Sequence, residues 1–136
     1  FALKDKISEP FMVMNGDIIT SINFNSLLSF HQNQNSDATM VVRPEEMKSE
    51  FGVVSISDLN IVGFKEKPVY VNYINTGIYI LGSEIFSYLD GAPKDMPDLF
   101  VDMQKDGLKT IAYPMHEKWK DIGNIDQYIE VKNYKF

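Results

Sequence analysis

Cysteine is absent from this chain, so it can form neither a disulfide framework nor a thiolate metal site. That fits a reducing compartment, and a cytoplasmic protein is expected. Arginine is nearly absent as well, Arg43 being the only one. Thirteen basic residues stand against nineteen acidic ones, a net charge of −6. An acidic surface repels nucleic-acid backbones and anionic lipid, so neither is an expected partner. No apolar run approaches the length of a membrane span, and no signal-peptide pattern opens the chain. Internal repeats, low-complexity segments and long linkers are also missing. The first residue is Phe1 rather than methionine, which suggests a fragment or a processed chain.

What is present is enough for one domain: 136 residues, 44% of them apolar. Phe11-Met12-Val13-Met14 is a compact apolar run ending at the turn formers Asn15-Gly16-Asp17, and reads as a buried strand. Phe24, Leu27, Leu28 and His31 recur at helical spacing behind a capping Asn23. Ala38 to Val42 reads as a strand ended by Pro44. Residues 51–56 and 61–64 flank a turn and suggest a hairpin. Tyr70 to Leu81 reads as one long strand. Short helices follow, one capped by Ser83 and one starting at Asp95 or Pro97 and ending at Gly107. Leu108 to Tyr113 and Trp119 to Asp121 are extended, and Asn124 caps a last helix carrying Ile125, Tyr128 and Ile129. This pattern predicts an α/β fold with a mixed sheet.

Several segments could carry chemistry. Asp17 follows a buried strand, where a carboxylate can hold a hard cation, although Asn, Gly and Asp are also the commonest turn formers. Asp121 lies between an extended segment and a helix start. It could complete a magnesium site with Asp17, or simply assist Asn124 as a cap. In Lys65-Glu66-Lys67-Pro68 an ammonium can bind phosphate as a point charge and a carboxylate can accept sugar hydroxyls. The alternative is a solvated strand end. Gly52 and Asn75-Thr76-Gly77 place glycines inside strand patterns, where backbone can approach a ligand closely. Asn75 could bond a sugar hydroxyl.

Each segment is weak alone. In order, NGD, FGVV, KEKP, NTGIYI and WKDIGN make the chain resemble the sugar-1-phosphate nucleotidyltransferase family, from about Pro10 to Tyr128. That family includes thymidylyl-, guanylyl- and uridylyltransferases. The resemblance implies a Rossmann-like, mixed and mainly parallel sheet of the nucleotide-diphospho-sugar transferase type. It implies that Asp17 and Asp121 bind Mg2+, and that Asp17, Lys67 and Asp121 serve catalysis. Gly52, Glu66, Lys67, Asn75 and Thr76 would meet the sugar phosphate, while Trp119 and Gly123 shape the strand and turn that present Asp121. The reaction implied joins a sugar 1-phosphate to a nucleoside triphosphate, giving an NDP-sugar and pyrophosphate. Positioning and charge neutralisation suffice for it, with no protein nucleophile.

The resemblance has one gap. Such proteins open with a segment of the form G-x-G-x-R-x-x-P-x-T, whose backbone N–H groups and basic residues grip the triphosphate. No G-x-G occurs in these 136 residues. The expectation is therefore a partial domain over 1–136, holding the sugar and metal side and inactive by itself. A second expectation is a non-catalytic module that binds sugar phosphates or serves assembly. A glycosidase with two acids would explain Asp17 and Asp121 but leave Lys67 and the glycines idle. The base, the sugar and whether the chain forms a homo-oligomer are left open.

Overall fold

The computed structural model describes residues 6–132. A four-stranded sheet has the order β1-β6-β3-β7, with β1 at Phe11–Met14, β3 at Ala38–Lys48, β6 at Val69–Leu81 and β7 at Thr110–Pro114. β3 runs parallel to β7, and β6 runs antiparallel to both β1 and β3. Three of the four strands therefore point one way, in the expected mixed α/β arrangement. Two small antiparallel sheets complete the fold. One pairs β2 (Ile18–Thr20) with β8 (Trp119–Asp121), and the other pairs β4 (Val53–Ser57) with β5 (Asn60–Lys65).

Alternation along the strands divides the core between the two faces of the sheet. Tyr79 and Leu81 of β6 join Ala38, Phe86, Leu99, Phe100 and Met103 under the 3-10 helix Ser83–Tyr88 and helix α2 (Met96–Lys105). Their neighbours Ile78 and Ile80 point the other way, to Val41, Ile18, Met115 and Leu27 of helix α1 (Phe24–Asn33). Because both faces are covered, this half of β6 reads as a continuous apolar run. The other half, Val69–Tyr73, is exposed because neither β1 nor β7 reaches it.

Local signals placed most elements. Asn23 accepts the Ser26 amide at 3.0 Å as the α1 cap. The hairpin turns through Asp58 and Leu59, both at positive φ, as a type I′ turn requires. Two expectations are corrected. β3 does not stop at Pro44 but runs on to Lys48. Its pairing with β7 ends at Val42, so a residue without an N–H sits where one side of the strand is open. Ser83 does not cap the following helix; Gly82 takes the cap position and no side chain bonds there. Helix α3 covers Ile125–Lys132, and Ile125, Tyr128 and Ile129 are exposed on it. Among the described residues no helix is long and apolar enough to cross a membrane.

Behind α1 lies a buried polar knot. His31 Nδ1 is 2.8 Å from Thr39 Oγ1 and 3.0 Å from Ser36 Oγ, and all three residues are buried. Burial lowers the His31 pKa, with the Asp37 charge pulling the other way. The unfolded chain therefore takes up this proton more readily than the folded one. The His31 contribution is intact above the ordinary value of about 6.5 and is lost as pH falls below it. Urea unfolding at pH 7.5 and 5.5 should show a loss of stability at the lower pH that is smaller in His31→Gln. An equal loss in both proteins would contradict this.

Candidate functional site

Two pieces of chain leave the sheet at the carboxyl ends of parallel strands, where α/β sheets gather their ligands. Asn15-Gly16-Asp17 follows β1, and the segment leading to β8 follows β7. The β2–β8 pairing then brings their ends together. Ile18 lies opposite Asp121, and the Ile122 amide donates to the Asp17 carbonyl at 2.8 Å. The backbones at Asp17 and Asp121, 104 residues apart in sequence, are thus brought side by side at the end of one small sheet, and both residues are exposed. Among the described residues no group of three or more His, Cys, Asp or Glu side chains is gathered for a metal. A cation here would therefore have two protein carboxylates and a shell completed by water and phosphate oxygens, which suits Mg2+.

The NTG segment of β6 is stitched to this corner. Gly77 accepts the Asn15 amide at its carbonyl, 3.0 Å away, and has φ +73. A Cβ there would stand 2.7 Å from Asn15 Nδ2 and 2.8 Å from Ile18 Cδ1. The glycine allows close backbone approach as expected, but what approaches is Asn15 of the NGD turn. Asn75 is exposed; its amide donates to Tyr79 Oη at 2.8 Å and its carbonyl accepts from the Gly77 amide. Thr76 is only 1% exposed and its hydroxyl donates to the Val41 carbonyl. Its own carbonyl accepts the Trp119 indole N–H at 3.0 Å. Thr76 therefore meets Trp119 rather than open space.

Gly52, Glu66 and Lys67 form a separate group. A Cβ on Gly52 would lie 2.7 Å from Phe64 Cζ and 3.0 Å from Glu66 Oε2, so the FGVV glycine leaves room for the KEKP carboxylate. Lys67 has φ 41, a left-handed conformation that costs a non-glycine residue of order 1 kcal/mol and is kept only where the surroundings enforce it. The Ser49 amide, donating to the Pro68 carbonyl at 3.0 Å, closes this end of the β3–β6 ribbon. The ribbon runs six steps from Val42↔Asn75 to Lys48↔Val69, a path of about 20 Å at the usual strand rise. The structure thus brings the site residues together as two groups at the two ends of one ribbon.

One contact had no signal in the sequence. Arg43 Nη1 donates to the Trp119 carbonyl at 3.2 Å, across 76 positions. Its place before a proline pointed only to a strand end.

An α/β sheet with two aspartate-bearing segments joined beyond its carboxyl ends defines a class of ligand-binding domains, and comparison with known proteins narrows it. The profile of the nucleotidyl transferase family matches residues 1–135, and the chain belongs to that family. A glucose-1-phosphate adenylyltransferase of Clostridium botulinum is 34% identical, over 87% of this chain and 34% of that protein. The mannose-1-phosphate guanylyltransferase catalytic subunit beta of Dictyostelium discoideum is 34% identical, over 89% of this chain and 35% of that protein. The chain spans about a third of the length of these curated relatives. A crystal structure of a proposed glucose-1-phosphate thymidylyltransferase from Bacillus anthracis, in complex with a sucrose, superposes with TM-score 0.67. That likeness covers 99% of this chain and 60% of the other at 23% identity, and it concerns the fold.

Proposed function

We propose that this chain is the sugar- and metal-binding part of an enzyme that transfers a nucleotidyl group to a sugar 1-phosphate. The observation that carries the reading is the β2–β8 pairing, which draws the chain segments of Asp17 and Asp121 together. In the reaction an oxygen of the sugar phosphate bonds to the α-phosphorus of a nucleoside triphosphate. The bond from that phosphorus to the bridging oxygen breaks, and pyrophosphate leaves. Asp17 and Asp121 would hold Mg2+, which when bound neutralises charge on phosphate oxygens. Lys67 adds a point charge for the sugar phosphate, Glu66 accepts sugar hydroxyls in the space Gly52 leaves, and Asn75 offers an amide. Thr76 acts through its grip on Trp119. A sugar phosphate is shorter than the path between the two groups, so the reading requires the ribbon to curl over the site. The natural twist of two-stranded ribbons favours such a curl.

The test uses the protein at its full encoded length with Mg2+, a panel of sugar 1-phosphates and the four common nucleoside triphosphates. Pyrophosphate release with at least one pair is expected. A folded protein that binds a sugar 1-phosphate but releases none with any pair would favour the non-catalytic module. The 136-residue chain alone should be inactive.

Gly52→Ala separates the sugar contact from stability. Phe64 is 64% exposed and can swing aside, so unfolding free energy should change by less than about 0.5 kcal/mol. Glu66 has to move as well, and KM for the sugar 1-phosphate should rise about tenfold, near 1.4 kcal/mol. Steady-state kinetics beside a thermal melt decide it. An unchanged KM removes Glu66 from the sugar site.

A further inference from the structure

We propose that Arg43, the only arginine of these 136 residues, is a positioning residue that fixes strand β8 and with it the backbone that carries Asp121 beside the Asp17 segment. The inference rests on the metal reading of those two carboxylates. Among the described residues β8 is three residues long and pairs with β2, with backbone bonds from Ser21 to Lys118 and from Ile122 to Asp17 at its two ends. Two-stranded sheets are marginal by themselves even at greater length, so the place of this one depends on its ties to the main sheet. Trp119 is gripped from two strands. Thr76 of β6 takes the indole N–H at 3.0 Å and is itself fixed by its hydroxyl on the Val41 carbonyl. Arg43 of β3 takes the Trp119 backbone carbonyl at 3.2 Å.

Trp119 and Asp121 are the two ends of this three-residue strand, so fixing Trp119 fixes the backbone that carries Asp121. Arginine suits the task. Its planar fork loses little freedom per bond formed, and the Arg43 stem is half-buried along a strand held on the β6 side by Ile74. A lysine could reach the carbonyl but would hold it less firmly.

Trp119 is also the only tryptophan in these 136 residues; with any tryptophan elsewhere in the full-length protein replaced by phenylalanine, its fluorescence reports on β8. The experiment compares the full-length protein with Arg43→Met and Arg43→Lys, using Mn2+ as the probe ion read by electron paramagnetic resonance. Acrylamide quenching of Trp119 is measured without ion, and circular dichroism checks folding. Arg43→Met should raise the Mn2+ dissociation constant about tenfold, the usual effect of losing a group that orients a ligand. Trp119 should become more quenchable, and Arg43→Lys should restore part of both. If Arg43→Met does not fold, Arg43→Lys carries the test through a smaller change in the same direction. Unchanged quenching and unchanged Mn2+ affinity in a folded variant overturn the proposal. If the unmodified protein binds no Mn2+, the metal reading of Asp17 and Asp121 fails. Quenching then decides whether Arg43 holds β8: an increase upholds the clamp and no change overturns it.

Discussion

Asp121→Asn is expected to lower pyrophosphate release by the full-length protein about 1,000-fold while leaving its melting curve nearly in place. A cation on phosphate oxygens is worth several kcal/mol of transition-state stabilisation, and each 1.36 kcal/mol is a factor of ten. Asparagine keeps the size of the side chain and one oxygen but not the charge. Asp121 is exposed, so the change falls in the range of ordinary surface substitutions, within about 0.5 kcal/mol of stability. Asp17→Asn should behave alike. The double variant should be little worse than either single one, because two ligands of one ion act as a unit. Single variants that keep activity within tenfold of the unmodified protein would remove the carboxylate pair from the mechanism. Losses that multiply in the double variant would assign the two aspartates to separate roles.

Gly77→Ala should cost about 3 kcal/mol of stability, a fall of roughly 10 °C in melting temperature for a domain of this size. Two penalties add. At φ +73 an alanine pays about 1–2 kcal/mol that glycine avoids. The new methyl would also press on Ile18 Cδ1 and Asn15 Nδ2 at less than 3 Å, and overpacking costs a further 1–3 kcal/mol. Ile18 is 9% exposed and packed in the core, so it has little room to yield. This is the opposite of Gly52, whose neighbour Phe64 is free to move. Urea or thermal unfolding checks the value, and a change under 1 kcal/mol would show that the corner relaxes. Asn15 should shift with the methyl and carry the NGD turn with it, so activity is expected to fall along with stability.

Much of the fold was legible because its signals are local. The β4–β5 hairpin, the Asn23 cap and the long β6 strand each follow from a few adjacent residues. The misread cases depend on neighbours far away in sequence. Pro44 is tolerated inside β3 because β7 stops pairing at Val42, and a proline gives no sign of which side of its strand is open. Gly82 stands at the cap position in place of Ser83, its amide held by the Asp37 carbonyl from 45 positions away.

The candidate site divides in the same way. Which residues have the right chemistry was readable: two carboxylates after extended segments, a lysine beside a glutamate, and glycines inside strands. Their fixed order carried the resemblance to the family. Tertiary structure alone decided who meets whom. The segments carrying Asp17 and Asp121 come together only because β2 and β8 pair across about a hundred residues. Gly77 is required by Asn15, and Thr76 turns inward to hold Trp119. Arg43 reaches that tryptophan from a strand 76 positions away. Residue type and short spacing set the chemistry available and the local backbone. Long-range hydrogen bonds and packing choose the partners, and no local pattern encodes a pairing that exists only once the sheet has assembled.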